Sequence, residues 1–190
     1  MRKLEERIMK DGQVLPGNIL KVDRFINHMI DPVLFEDLAN EFYEKFKDKK
    51  INKILTIEVS GIAIAYACGI RFNCPVVFAK KTSSKTLGDN CYRTEVFSFT
   101  KNRSYEVMVS KEYLNENDHV LLIDDFLANG KALEGLIDIC SQANATVEGI
   151  GILIEKVFQK GGDNLRQQGY TIESLARIKG FTDDSVIFED

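Results

Sequence analysis

The feature that most constrains this chain is an alternation between two kinds of segment from residue 52 to residue 157. The runs "NKILTIE", "CPVVFAK", "DHVLLIDD" and "TVEGIGILIEKV" read as strands, because short, nearly continuous aliphatic stretches suit a sheet buried on both faces. "SGIAIAYACGI" and "GKALEGLIDICSQAN" read as helices between them; in the second, Ala132, Leu133, Leu136, Ile137 and Cys140 form one apolar stripe. Strands that alternate with helices are joined by crossovers, which set parallel strands side by side. The expected class is therefore α/β, a parallel sheet flanked by helices.

The clearest helix precedes this region, in "DPVLFEDLANEFYEKFKDKK". Asp31 is placed to cap it, and Pro32 occupies the first turn, where a missing N–H is harmless. Phe35, Leu38, Ala39, Phe42 and Phe46 then share one face. Between Ala79 and Asp118 the alternation breaks. "TSSKTLGDN" lacks an apolar period and reads as a flexible, exposed loop, whereas "YRTEVFSFT" and "SYEVMVS" alternate as antiparallel strands do. With 190 residues the chain has room for one core of ordinary size, so a single domain spanning 1–190 is expected.

A formal charge of -4 argues against broad attraction to nucleic acid or to an anionic membrane. The start, "MRKLEERIMK", is charged throughout, and the longest apolar stretch, "IAIAYACGI", is too short to span a bilayer, so a cytoplasmic protein is expected. The four cysteines, Cys68, Cys74, Cys91 and Cys140, form no C-x-x-C pair and read as buried free thiols. His28 and His119 show no evident partner and are assigned no catalytic role. The patterns "NRS" at Asn102 and "NAT" at Asn144 have no force without a secretory signal.

Chemistry enters at "VLLIDDFLANGKA". Four apolar residues lead to two adjacent acids, Asp124 and Asp125, and then to a glycine-containing loop that opens a helix. A buried strand is not expected to end on two acids without a role for them, because an unpaired buried carboxylate is costly. At the carboxyl end of a parallel strand both acids reach the crevice where such sheets bind ligands. There two acceptor-only groups suit adjacent hydroxyls, as on a ribose, and help to hold a hydrated magnesium ion. The loop "ANGKA" presents free N–H groups at a helix N-terminus, which favours phosphate. A Walker A loop is disfavoured, since Asp125 stands where its first glycine belongs and Ala132 where its Ser or Thr belongs. A plainer alternative makes the acids a helix-capping cluster and Gly130 a turn residue.

A second passage, "TIEVSGIAIA", sets Val59, Ser60 and Gly61 at another helix N-terminus, suited to an anion or simply capped by Ser60. In "AKKTSSK", Lys80, Lys81 and Lys85 either neutralise a diphosphate or form solvated surface.

The run "VLLIDDFLANGKA" resembles the signature of the type I phosphoribosyltransferases, with apolar strand, acid pair and phosphate loop in that order. Within that family the chain is similar to the xanthine phosphoribosyltransferases along essentially its whole length, from "GNILKVDRFINHMIDP" to "ILIEKVF". The resemblance implies the type I fold, with a core of about residues 31–157 and a small hood from about 1–30 and 158–190. It implies that Asp124 and Asp125 contact the ribose hydroxyls of phosphoribosyl diphosphate (PRPP), and that Ala128, Asn129, Gly130, Lys131 and Ala132 hold its 5-phosphate. Val59, Ser60, Gly61 and Lys81 are implied to meet the diphosphate, beneath a loop that closes during turnover. Leu20, Asn27 and Lys156 are implied to bind xanthine, the lysine near the exocyclic oxygen of the six-membered ring. Mg2+ is implied to arrive with PRPP, and no residue is assigned as its direct ligand. A homodimer is implied, with no nucleic-acid or membrane partner. One departure stands out: many members carry threonines where this loop has Ala128, Asn129 and Ala132, so anion binding falls to backbone amides, helped by Asn129 and Lys131.

The implied reaction is transfer of the 5-phosphoribosyl group from PRPP to N9 of xanthine, giving XMP and pyrophosphate in purine salvage. Two rivals remain at this point. One is a PRPP-sensing regulator without catalysis; the other is a phosphoribosyltransferase for guanine, hypoxanthine or adenine.

Overall fold

The computed structural model describes residues 1–81, 90–98 and 103–189. Most of the expected long loop, with Lys85, lies outside the described residues, as does the pattern at Asn102. The chain begins with α1 (Arg2–Asp11), a short antiparallel pair β1 (Gln13–Leu15) and β2 (Ile19–Lys21), and a π-helical turn over Asp23–Asn27. Helix α2 (Pro32–Phe46) follows as the sequence predicts: the Leu34 amide donates to the Asp31 carboxylate at 3.1 Å, and Phe35, Leu38, Ala39, Phe42 and Phe46 are buried.

The alternation then runs β3 (Lys53–Ile57), α3 (Gly61–Phe72) and β4 (Val76–Ala79), breaks for the antiparallel ribbon β5 (Cys91–Ser98) and β6 (Arg103–Ser110), and resumes with β7 (His119–Leu127), α4 (Lys131–Gln142) and β8 (Thr146–Lys156). Helix α5 (Gly161–Gln167), β9 (Ile172–Phe181) and β10 (Val186–Phe188) complete it. The central sheet has the order β4-β3-β7-β8-β9-β10, parallel except for β10. The ribbon joins it through a bridge between Lys80 and Met108. Residues assigned to the hood thus add two strands to the sheet. "TIESLARIKGF" hides its strand because its polar residues find partners across the strand's flanks: Glu173 pairs with Lys45 at 3.0 Å, and Arg177 with Glu189 at 2.8 Å.

Two cores form, one on each face. Leu121, Ile123 and Phe126 of β7 pack into the core beneath α2 and α3, whereas Val120, Leu122 and Leu127 pack into the core beneath α4 and the ribbon. On α4 the buried set is Leu133, Gly135, Leu136, Ile139 and Cys140, so the stripe is turned from the expected one, with Ala132 and Ile137 only half-buried. The ribbon is the reason: Val96 of β5 lies against Gly135, so that side of the helix is covered as well.

The chain crosses from β3 through α3 to β4, and from β7 through α4 to β8 on the other side, so the connections diverge between β3 and β7. Those two strands stay in register only from Lys53 opposite Val120 to Leu55 opposite Leu122. Beyond that point the sheet opens, and both candidate loops leave at this opening. At the other end of the strands His119 does have a partner, Glu148, at 2.6 Å; it lies away from the crevice. All four cysteines are free thiols; three are buried, and burial pushes Cys140 up to about 12. Among the described residues no helix is long and apolar enough to cross a membrane.

Candidate active site

The acid pair does not end its strand. β7 continues to Leu127, because the longer β8 supplies ladder partners: Asp124 lies opposite Ile152, Phe126 opposite Ile154 and Leu127 opposite Glu155. Nor does the pair escape burial as the sequence predicts. Asp124 is 5% exposed, and Asp125 is half-buried. Strict alternation would aim one acid into each core. Instead the alternation loses step across them, since Ile123 and Phe126 share one core while Leu122 and Leu127 share the other.

Burial sets the electrostatics. It pushes the Asp124 carboxyl well above the ordinary carboxylate range, the neighbouring charge of Asp125 adds to this, and the charge of Lys81 works against it. Burial also raises Asp125, less strongly, because the Asp124 carboxyl and the Asn27 side chain donate hydrogen bonds to its carboxylate. The Asp125 amide donates to Asp124 Oδ1 at 2.9 Å. Without a ligand the pair favours a shared proton over two adjacent charges.

On the far side of the opening, the loop after β3 meets the acids directly. A Cβ on Gly61 would collide with Thr56 Oγ1 and lie 3.0 Å from Asp124 Oδ1, so only glycine lets α3 begin this close to the pair. Ser60 sits at the N-cap position of α3, yet its side chain makes no cap hydrogen bond; the simple capping reading is not what the structure contains. Val59 is 76% exposed, and the Glu58–Val59 peptide is cis. Lys81 returns to this loop: its amide donates to Glu58 Oε1 at 2.6 Å, and its ammonium lies 5.4 Å from the Tyr105 ring centre.

On the near side, Ala128, Asn129, Gly130, Lys131 and Ala132 line a cavity of about 160 Å³, closed by Val96, Phe97 and Tyr105 of the ribbon and by Phe126. Gly130 has φ 84°, which favours glycine, as the chain turns into α4. The two side chains expected to help the amides are engaged within the loop. Asn129 Oδ1 accepts from the Lys131 amide at 3.2 Å, and Lys131 Nζ pairs with Glu134 at 2.7 Å.

The residues expected at the base end are brought to the same opening unevenly. Asn27 reaches Asp125 from the π-helical turn. Lys156 Nζ donates to the Asn18 carbonyl at 3.0 Å and lies 5.9 and 5.7 Å from the ring centres of Phe126 and Phe181, with its pKa lowered by burial. Leu20 buries its side chain in the core and stands opposite Val14 in the β1–β2 pair. Phe158 packs edge to face on Phe181.

Sequence reasoning missed Thr56 and Glu155. Thr56 is fully buried beside Asp124, and its hydroxyl has no hydrogen-bond partner. Glu155, the neighbour of Lys156, is also fully buried and ion-paired to Arg166 at 2.7 Å. A lone threonine in an apolar run, and one acid beside one lysine, carry no signal of their own.

Comparison with known proteins agrees with this fold. Residues 32–184 match the model of the phosphoribosyl transferase domain. The chain is 97% identical over 190 residues to a xanthine phosphoribosyltransferase of Finegoldia magna, covering 100% of both chains. It is 56% identical to a xanthine phosphoribosyltransferase of Bifidobacterium adolescentis, covering 100% of this chain and 98% of that one. Among solved structures, an adenine phosphoribosyltransferase from Rhodothermus marinus superposes with a TM-score of 0.76 at 18% identity, covering 94% of this chain and 100% of that one. One from Trypanosoma brucei, in complex with AMP, pyrophosphate and ribose-5-phosphate, gives a TM-score of 0.76 at 17% identity, covering 95% of this chain and 82% of that one. At these identities the two structures speak for the fold alone. The chain belongs to the phosphoribosyl transferase domain family and has its type I fold.

Proposed function

We propose that this chain is a xanthine phosphoribosyltransferase that moves the 5-phosphoribosyl group of PRPP to N9 of xanthine, releasing XMP and pyrophosphate in purine salvage. The observation that carries this reading is the 97% identity, end to end, to a relative of that name. The geometry gives it a mechanism. Asp124 and Asp125 accept the two ribose hydroxyls, and the hydroxyl protons replace the proton the acids otherwise share. The amides of residues 128–132 take the 5-phosphate at the start of α4. Asn27 and Lys156 meet the purine, with the ammonium donating to an exocyclic oxygen. Leu20 contributes through its main chain.

Displacement at the anomeric carbon builds positive charge on the sugar and negative charge on the departing diphosphate. The acid pair stabilises the first; Lys81 and the loop of Val59, Ser60 and Gly61 meet the second. Holding both substrates in line supplies the remainder, since little covalent work falls to the protein. A hydrated Mg2+ suits the carboxylate oxygens of Asp124 and Asp125, which would hold it through its waters, and would neutralise diphosphate charge when bound with PRPP. A cytoplasmic homodimer completes the reading. It is supported by an apolar groove of about 910 Å³ between α2 and α3, edged by exposed Val59, Tyr66 and Ile70.

The test is to mix the chain with PRPP, Mg2+ and each of xanthine, guanine, hypoxanthine and adenine, following the ultraviolet change as nucleotide forms. Turnover favouring xanthine is expected. Preference for another base overturns the substrate, and no turnover with any base overturns the reaction.

A further inference from the structure

The loop of residues 128–132 has to keep its amides aimed at an anion, yet its own side chains brace it only locally, through Asn129 with the Lys131 amide and Lys131 with Glu134. Support from outside the loop comes from the first turn of α5, which opens at Gly161. The Gly161 amide donates to the Ala128 carbonyl at 3.1 Å. A Cβ on Gly161 would overlap that carbonyl and sit 2.5 Å from both Asn129 C and Gly130 N. All three are main-chain atoms, so nothing flexible yields: any side chain here displaces the loop itself. Gly130 faces the same contact from its own side, since a Cβ there would lie 3.4 Å from Gly161 Cα.

The supporting turn is itself fixed. Lys160 holds φ 64°, and Gly162 packs directly on the Glu155 carboxylate, which leaves no room for a Cβ. Glu155, fully buried, accepts from Arg166 Nη1 and Nη2 at 2.7 and 2.8 Å and from the Ser174 hydroxyl at 2.6 Å. A two-pronged charged pair of this kind fixes orientation as well as distance. Two successive residues of β8 thus serve the two ends of the crevice: Glu155 anchors the turn behind the phosphate loop, and Lys156 stands at the base end.

We propose that Gly161 is a positioning residue for phosphoribosyl binding, the main-chain wall that holds residues 128–132 in their anion-binding shape, fixed in turn by the buried Glu155–Arg166 pair. This rests on the reading that those residues bind the 5-phosphate.

The experiment compares the wild-type chain with Gly161→Ala, by calorimetric titration of ribose 5-phosphate and by steady-state kinetics with PRPP and xanthine. Ribose 5-phosphate affinity is expected to fall about tenfold or more, since sub-ångström misplacement of a binding group is costly. The KM for PRPP should rise in parallel, with the KM for xanthine and the circular dichroism spectrum unchanged. A merely structural role would weaken both substrates together. Unchanged ribose 5-phosphate affinity in folded Gly161→Ala overturns the proposal, and so does an equal rise in both KM values. Should that variant fail to fold, Arg166→Lys decides, because it keeps the charge and loses the fork. Weaker ribose 5-phosphate binding at constant xanthine KM supports the proposal, and unchanged binding overturns it. A wild-type chain that binds ribose 5-phosphate without using xanthine overturns the reaction, while the same titration of the variants still decides the role of Gly161. A wild-type chain that does not bind ribose 5-phosphate overturns both.

Discussion

The amide of Asp125 donates to Oδ1 of Asp124 at 2.9 Å, so the two acids are held together by the backbone that joins them. That arrangement is unfavourable until a ligand arrives, because burial and mutual repulsion both oppose ionisation of Asp124. Replacing both with asparagine should therefore separate stability from activity. Turnover with PRPP is expected to fall by about 100-fold or more, the scale of losing an electrostatic stabiliser at a reacting centre. The ligand-free melting temperature at neutral pH should not fall, and a rise of about 2–4 °C corresponds to relief of roughly 1 kcal/mol in a chain of this size. Near-normal kinetics in the double variant would remove these residues from the site.

The same burial gives the ligand-free protein a pH signature. Both aspartates have folded-state pKa values above their unfolded ones, Asp124 the more so. Their contribution is fully present below an unfolded value of about 3.9 and is lost as pH rises through the raised folded values. Glu155 has the opposite sign. Burial pushes it up, but Arg166 and Ser174 outweigh that and hold it below its ordinary range, so its contribution is lost as pH falls through the lowered value. Thermal melts of wild type and Asp124→Asn across mild acid to neutral pH check this. The variant's advantage should widen as pH rises; a constant or shrinking gap would show that the aspartate is not destabilised by ionising.

Lys156 stands between the Asn18 carbonyl and two aromatic rings, Phe126 and Phe181, which hold its ammonium in one place. Lys156→Gln is expected to raise the KM for xanthine by about tenfold, the scale of a lost hydrogen bond to a charged group, with little change in the KM for PRPP. Collapse of PRPP binding with intact purine affinity would place this lysine elsewhere in the mechanism.

The alternation of segments made the core of the fold legible, because strands buried on both faces and helices with one apolar stripe leave different periods in sequence. Asp31 and Pro32 marked the start of α2 for the same local reason. What stayed hidden depends on contacts distant in sequence. β9 carries Glu173 and Arg177, whose partners Lys45 and Glu189 come from elsewhere in the chain, so its composition reads as surface. The extension of β7 past Asp125 depends on the length of β8, and Asn27 meets Asp125 only through a π-helical turn. The acid pair and its loop were visible as chemistry, but the burial of Asp124 was not, since it follows from how Gly61 and Thr56 close in from β3 and α3.

Helix α3 presents exposed apolar surface, where Tyr66 and Ile70 are 65% and 66% exposed beside a groove that also takes in Phe35 and Ala39 of α2. Burying large side chains of this kind is worth about 1.5–3 kcal/mol each, enough in aggregate to drive association of two copies. Glu36 and Arg71 both line the groove, so a twofold pairing can set the acid of one copy against the base of the other. The wild-type chain is expected to sediment as a dimer, and Ile70→Asp, which puts a charge into the contact, as a monomer with an unaltered circular dichroism spectrum. Val59 edges the groove and also belongs to the loop beside the acid pair, so the monomeric variant should lose more affinity for PRPP than for xanthine. A wild-type chain with the mass of one copy, or a dimeric Ile70→Asp, would take this face out of the assembly.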